Sequence, residues 1–102
     1  SNSSAASDVY KRQNQFRLLQ QVRRLTEQGY TVLLSTHDPE HALRFATHVL
    51  ALHGGTVAAC GPVEEMLTEE LLHTLYRIPL TVAQVPVTGA TVRSCVYDPA
   101  KP

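Results

Sequence analysis

The chain has 102 residues, with 9 Lys and Arg, 9 Asp and Glu and 5 His, so its formal net charge at pH 7 is zero. This length permits one small domain or one part of a larger domain. The balanced charge does not suggest nucleic acid or an anionic membrane as a partner, and we predict no nucleic-acid partner. With 43% apolar residues the chain can fold. No apolar run approaches the ~18–20 residues that span a bilayer.

The first thirteen residues differ in character from the rest of the chain. Ser1 and Asn2 resemble the scar that remains after removal of an affinity tag. The string SSAASDVYKRQ over residues 3–13 is similar to the translation of a transposase adapter used for sequencing libraries. On this interpretation the gene comes from a metagenomic read cut at its 5′ end, and residues 1–13 carry no function. The alternative is an ordinary polar arm.

The first half of the chain predicts a helix, a buried strand and a second helix. Apolar residues at helical spacing predict a helix over residues 14–28, which we expect to begin near Ser7 as its cap and to run on through the arm. The apolar, β-branched run YTVLLST over residues 30–36 predicts a strand buried on both faces, as in a parallel sheet. Asp38 and Pro39 predict the cap and the first position of the next helix.

The second half predicts two strand pairs separated by helices. Strands at residues 48–52 and 56–60 flank a tight Gly-Gly turn. A short helix opened by Pro62 follows, and then a helix capped by Thr68 and ended by Pro79. The remaining predicted elements are two strands and a frayed tail, at residues 80–85, 91–96 and 98–102.

This order of elements predicts an α/β fold. However, one buried strand cannot form a parallel sheet, and the chain supplies at most one neighbour for residues 30–36. We therefore expect an incomplete sheet with flanking helices and a β-hairpin, as at one end of a larger doubly wound domain. Because unpaired strand edges recruit other chains, we also expect a homo-oligomer through residues 30–36, the first helix, or both.

The segment STHDPEH contains the densest group of chemically capable side chains. It includes the H-x-x-E-H spacing of inverted zincins, but that zinc site needs His37 and His41 on one helix face, and the helix begins only at Pro39. Ser35, His37 and Asp38 are equally poor as a catalytic triad, because such close neighbours cannot hydrogen-bond in relay. We predict no metal site. His37 remains the candidate, since ligands of α/β sheets bind at the carboxyl ends of strands. The two cysteines, Cys60 and Cys95, have no metal spacing and are interpreted as reduced thiols.

Several pieces of sequence occur in a specific order and spacing. After the first helix come TVLLSTHD, HALRFA, VLALHGG and GPVEEMLTEELLHTLY. In this order, residues 14–85 resemble the C-terminal part of the nucleotide-binding subunit of an ABC transporter. The resemblance is strongest to the importer ATPases that serve iron–siderophore, haem and cobalamin uptake, and it implies the fold of a P-loop NTPase.

The resemblance implies a role for one residue in particular. His37 matches the histidine of the family's switch, or H-loop, which lies beside the γ-phosphate of ATP and helps to position the attacking water. Asp38 matches the residue that follows it. For the complete subunit, the resemblance implies ATP and Mg²⁺ as cofactors. It also implies a second ATPase subunit and transmembrane permease subunits as partners, and a peripheral cytoplasmic location at the inner face of the cell membrane.

The other motifs of that family do not occur in the sequence. It contains no GxxxxGK[ST] Walker A, no Q-loop, no LSGGQ signature and no apolar Walker B run that ends in Asp-Glu. We therefore interpret residues 14–85 as the C-terminal part of an ABC ATPase domain including the H-loop, and residues 86–102 as a C-terminal strand and tail. We expect this truncated chain to hold no cofactor and to hydrolyse no ATP. The alternative is a self-standing α/β interaction module without a nucleotide role.

Overall fold

A computed structural model describes residues 4–101, with side chains from residue 8 onward. The chain divides into two units, Ser1–Ser35 and Thr36–Pro102. The first unit contains helix α1 (Ser4–Glu27). The second contains, in chain order, α2 (Pro39–Phe45), β1 (His48–His53), β2 (Thr56–Pro62), α3 (Val63–Met66), α4 (Glu69–Tyr76), β3 (Leu80–Val87) and β4 (Ala90–Tyr97). None of the described helices is both long and apolar enough to cross a bilayer.

Helix α1 runs without a break from the arm into the predicted helical segment. The expectation of one continuous helix through residues 8–13 is therefore confirmed. The expectation that Ser7 caps the helix is wrong, because the helix begins at Ser4 and the backbone at Ser7 is already helical. Of the described side chains in α1, that of Leu19 is buried, whereas Tyr10 and Phe16 are exposed.

A Schellman motif ends α1. Gly29 adopts a φ of 97°, the left-handed conformation that glycine reaches without steric cost. Its amide donates to the carbonyl of Thr26, and the amide of Tyr30 donates to the carbonyl of Leu25, both at 3.1 Å. These two bonds satisfy carbonyls that the last helical turn leaves without partners.

Residues 30–36 do not form the predicted strand. They have no regular secondary structure and belong to neither of the two sheets that the described strands form. A strand buried on both faces needs neighbouring strands for its backbone N–H and C=O groups. The four described strands pair only with one another in two antiparallel hairpins, and none of them pairs with the run YTVLLST. Consequently Leu33 is 95% exposed.

The α/β class is confirmed, with helices beside two antiparallel hairpins. Strands β1 and β2 meet at a turn in which Gly54 and Gly55 have φ values of 58° and 79°, as a type I′ turn requires. Strands β3 and β4 pair in register from Leu80 opposite Tyr97 to the turn. Both hairpins were predicted, and each strand is one or more residues longer than its pattern indicated.

Four buried side chains form the core of the second unit: Leu43, Val63, Leu67 and Leu72. Leu43 lies in α2, Val63 in α3 and Leu72 in α4, and Leu67 is the C-cap of α3. Leu72 has no exposed surface. Burying one leucine contributes about 1.5–3 kcal/mol, so this small cluster is the main apolar stabilisation of the unit. Tyr76, Leu80 and Cys95 pack against it, which places α4 and the second hairpin.

The predicted helix caps of the second unit are confirmed. The Asp38 carboxylate accepts a hydrogen bond from the amide of Glu40 at 2.9 Å and caps α2, with Pro39 at the first helical position. The Thr68 hydroxyl accepts from the amide of Leu71 at 3.2 Å and caps α4. Helix α4 ends at Tyr76, and Arg77 follows as its C-cap with a φ of 58°, two residues before the predicted stop at Pro79.

The tail after β4 is held in place, so the prediction of a frayed tail is wrong for the described residues 98–101. The amide of Asp98 donates to the carbonyl of Pro79 at 2.8 Å, and its carboxylate accepts from the Thr81 hydroxyl at 2.9 Å. The Lys101 ammonium donates to Glu69 at the start of α4. Antiparallel pairing returns the end of β4 to the beginning of β3, where these polar partners lie.

The capping contact of α2 leads to a stability prediction. We expect Asp38→Ala to lower the free energy of unfolding by about 0.5–2 kcal/mol, because the Glu40 amide loses its acceptor. Urea denaturation measures the change. Asp38→Asn is the control, since asparagine caps equally well and should retain most of the stability. Equal losses in both variants would show that the carboxylate charge, and not the cap, stabilises the loop.

The tail contact leads to a prediction about pH. The hydrogen bond from Lys101 lowers the pKa of Glu69 below its ordinary value of 4.5, and the bond from the Val82 amide lowers it further. The contact is therefore fully present above the ordinary pKa of Glu69 and is lost as pH falls through the lowered one. In an NMR titration of the Glu69 carboxyl carbon, Lys101→Met should raise the midpoint, whereas Lys101→Arg should keep it low. An unchanged midpoint in Lys101→Met would contradict the contact.

Candidate functional site

The candidate residue His37 lies in the bend that leads into α2, and its side chain is exposed. Pro39 occupies the first helical position immediately after the bend, and its ring restricts the backbone there. The imidazole therefore extends from a short bend, and helix α2 begins two residues after it, at Pro39. A histidine in this position can donate to or accept from a group that approaches from solvent.

A local network of polar side chains surrounds the start of α2. The Thr36 hydroxyl accepts a hydrogen bond from the Asp38 amide at 3.1 Å and lies 3.0 Å from His41 Nδ1. The other ring nitrogen of His41, Nε2, lies 3.5 Å from the Asp38 carboxylate. One ring nitrogen of His41 thus lies beside the Thr36 hydroxyl and the other beside the carboxylate of the capping residue, Asp38. Asp38 serves the helix and His41, and it is not placed as the third member of a Ser-His-Asp relay.

No metal-binding group appears at this loop. Over residues 4–101, no cluster of three or more His, Cys, Asp or Glu side chains has the geometry to hold a metal ion. His37 precedes the helix and His41 lies in its first turns, so the H-x-x-E-H spacing does not form the helical pair that inverted zincins require.

A contact from α4 holds the backbone of the candidate residue. The Tyr76 hydroxyl donates to the main-chain carbonyl of His37 at 2.6 Å. Burial raises the pKa of Tyr76, and the negative charge of Asp38 raises it further, so the hydroxyl remains a donor at neutral pH. In the sequence, Tyr76 fits the apolar face of α4, so its spacing gives no sign of a contact with the loop. The hydroxyl of a half-buried tyrosine usually has a hydrogen-bond partner, and this tendency could have indicated that Tyr76 makes a polar contact.

A second contact ties α2 to β4. The Glu40 carboxylate accepts hydrogen bonds from the Ser94 hydroxyl at 3.0 Å and from the main-chain amide of Cys95. Its second oxygen lies 3.4 Å from the Arg44 guanidinium. Burial raises the pKa of the Cys95 thiol, and repulsion by Glu40 raises it further, so this thiol is not activated as a nucleophile. From the sequence, Glu40 is only an acidic residue in the first turn of a predicted helix, which gives no sign of a contact with β4.

The residues around His37 do not by themselves fit ATP with Mg²⁺. The carboxylates of Asp38 and Glu40 are occupied with backbone amides, and the Arg44 guanidinium is paired with Glu40. The sequence contains no glycine-rich GxxxxGK[ST] loop whose amides and lysine could hold phosphates. The loop therefore contributes one imidazole on a fixed backbone and no complete nucleotide site.

Curated proteins from several bacteria match the chain in sequence. The hemin import ATP-binding protein HmuV of Rhodococcus jostii is 39% identical over 89 residues, which are 87% of this chain and 30% of that protein. The iron(3+)-hydroxamate import ATP-binding protein FhuC of Bacillus subtilis is 36% identical over 86 residues, 83% of this chain and 32% of that protein. The ferric enterobactin transport ATP-binding protein FepC of Escherichia coli is 36% identical over 63 residues, 62% of this chain and 23% of that protein.

The match covers most of this chain but only about a quarter to a third of each of these relatives. No family model matches the chain, and no solved structure matches it. The relatives agree with the resemblance found in residues 14–85, and the α/β fold agrees with it too. The chain therefore belongs, over the part that it spans, to the family of ATP-binding subunits of ABC importers.

Proposed function

We propose that this chain provides the switch loop of the ATP-binding subunit of an ABC importer, and that His37 is its switch histidine. The observation that carries the proposal is an exposed imidazole in a backbone-anchored STHD loop, within a chain that is 36–39% identical to import ATP-binding proteins. The names of those relatives place their substrates among haem and iron–siderophore complexes. We propose the same class of cargo for the complete subunit.

The proposed role of His37 is to stabilise charge on the substrate. An imidazole N–H that donates to the γ-phosphoryl group of ATP helps to hold it for attack by water. Phosphoryl transfer depends mainly on such positioning and on electrostatic stabilisation. In our proposal the remaining phosphate contacts and the Mg²⁺ ligands belong to family motifs that this sequence does not contain. The 102-residue chain alone is then inactive and holds no nucleotide.

The complete subunit is proposed to work with a second ATP-binding subunit and with permease subunits, at the cytoplasmic face of the membrane. Within this chain we assign that function to residues 14–85, with residues 86–102 as the C-terminal strand and tail. Residues 1–13 take no part in it. In the structure these boundaries fall inside continuous elements, since residue 13 lies within α1 and residue 85 within β3.

Activity measurements test the proposal at two lengths of the chain. The purified 102-residue chain should release no phosphate from ATP. In the complete subunit, obtained by recovering the longer gene, His37→Ala should lower kcat by about a hundredfold or more, since a charge-stabilising donor is lost. His73→Ala is the matched control, because His73 is exposed on α4 and should leave turnover unchanged.

Two results would contradict the proposal. One is ATP hydrolysis by the 102-residue chain that disappears in His37→Ala. The other is a longer gene without an in-frame Walker A motif and LSGGQ signature upstream of this segment. That second result would favour the self-standing interaction module.

We also propose that the isolated chain associates with itself through residues 30–34. In this segment Tyr30 is 63%, Leu33 95% and Leu34 42% exposed, and its backbone belongs to no sheet. The Tyr30 amide is bonded to the carbonyl of Leu25, but an apolar segment that lies outside any sheet is a template for pairing with another chain. An interface that also includes α1 can reach the ~1,000 Å² that a stable association needs.

Light scattering at micromolar concentration measures this association. We expect a dimer or larger species for the native chain and a shift towards monomer for Leu33→Glu, because the new charge would have to be desolvated in the interface. Gln28→Glu adds the same charge nearby without removing an apolar side chain, and it should keep the assembly. A native chain that is monomeric would refute the proposed association.

A further inference from the structure

We propose that Tyr76 is the positioning residue of the switch loop. Its hydroxyl holds the carbonyl of His37 and thereby fixes the direction in which the imidazole is presented. This inference rests on the proposed function of His37, and it assigns a role in the switch to helix α4, which contains none of the nucleotide-binding motifs.

The position of the bond explains why it controls the imidazole. The carbonyl of His37 belongs to the peptide plane between His37 and Asp38, so a partner on that oxygen restrains ψ of His37. The direction of the Cα–Cβ bond, and with it the set of allowed side-chain rotamers, follows from the backbone. The bond from the Asp38 amide to the Thr36 hydroxyl acts on the same peptide plane but joins residues only two apart, and the Asp38 cap acts one residue later. The Tyr76 bond is the contact made to His37 itself across 39 residues of sequence.

Helix α4 is well placed to hold this donor. Tyr76 is the last residue of the helix, and its ring packs against the buried cluster that contains Leu72. The Thr68 cap orders the other end of the helix. Because a tyrosine ring has only two rotatable side-chain bonds, packing of the ring leaves little freedom to its hydroxyl.

The hydroxyl keeps its donor role across the physiological pH range. Burial and the nearby carboxylate of Asp38 raise the pKa of Tyr76 above its ordinary value of 10.0. A main-chain carbonyl can only accept, so the phenol must supply the proton. The bond therefore has one possible direction and does not switch with pH near neutrality.

Tyr76→Phe separates this role from a role in packing. Phenylalanine keeps the ring against the cluster and removes only the donor. Tyr97→Phe is the matched control, because Tyr97 lies on β4 and is 62% exposed. In NMR spectra of the 102-residue chain, we expect Tyr76→Phe to shift the carbonyl carbon of His37 and to speed hydrogen exchange of the Asp38 amide. Tyr97→Phe should change neither signal, and both variants should retain the chemical-shift dispersion of the folded chain.

A kinetic measurement then tests the effect on the reaction. In the complete subunit, Tyr76→Phe should lower kcat by about two- to tenfold, the effect of one lost neutral hydrogen bond, with KM for ATP unchanged. In a His37→Ala background the same substitution should have no further effect, because the group that it positions is gone. A side chain needed only for packing would lower kcat by the same factor in both backgrounds.

The outcomes separate this inference from the proposed function. If His37→Ala lowers turnover and Tyr76→Phe behaves like Tyr97→Phe, the positioning role is wrong and the proposed function stands. If His37→Ala leaves turnover unchanged, the proposed function fails, and the positioning role in catalysis fails with it. A His37 carbonyl signal that is the same in Tyr76→Phe and in the native chain would refute the hydrogen bond itself.

Discussion

The packing of three short helices around Leu43, Val63, Leu67 and Leu72 determines the arrangement of the second unit. None of these elements is long: α2 has 7 residues, α3 has 4 and α4 has 8. Helices of this length are not stable in isolation, since the cost of forming the first turn is not recovered within two turns. Their order therefore comes from the shared core and from the caps. The loop before α2 has a defined position because the helix that follows it is docked.

Polar contacts add the orientation that apolar packing alone does not specify. Leucine side chains interact through non-directional contacts, so α2 could rotate about its axis at modest cost. The Glu40 carboxylate, which accepts from Ser94 and from the backbone of β4, removes that freedom. The Tyr76 hydroxyl does the same for the loop from the side of α4. The second hairpin therefore holds α2 through a main-chain amide of β4, and α4 holds the loop through the main-chain carbonyl of His37.

Local signals in the sequence predicted the local parts of this arrangement. Asp38 with Pro39, Thr68 and the Gly54-Gly55 turn each act through neighbours within a few residues, and the structure has all three as predicted. The motif order was also sufficient to find the family. What the sequence could not indicate was which residue from a distant element would meet which loop. The contact between Tyr76 and His37 is of that kind, because it depends on how α4 docks.

Two of the wrong predictions, the strand over residues 30–36 and the frayed tail, have the same origin. The run over residues 30–36 has the composition of a buried strand. Composition indicates that a segment would fit into a sheet, but it does not indicate whether partner strands are present. The described strands leave it without a sheet. Conversely, residues 98–101 are polar and terminal, which is typical of frayed ends. They are ordered because antiparallel pairing brings them beside Glu69 and Thr81.

The end of α4 has a consequence for how freely its sequence can change. Arg77 adopts a φ of 58°, a conformation that costs a residue with a side chain roughly 1–2 kcal/mol. Glycine would relieve that strain, but it would also enlarge the conformational entropy of the unfolded chain by about 0.4–1 kcal/mol. The entropic cost cancels about half of this gain, so glycine would stabilise the fold by about 0.5–1 kcal/mol. The left-handed backbone therefore favours glycine only modestly at this position, and the exposed Arg77 side chain can be exchanged for another unbranched one with little change in folding stability.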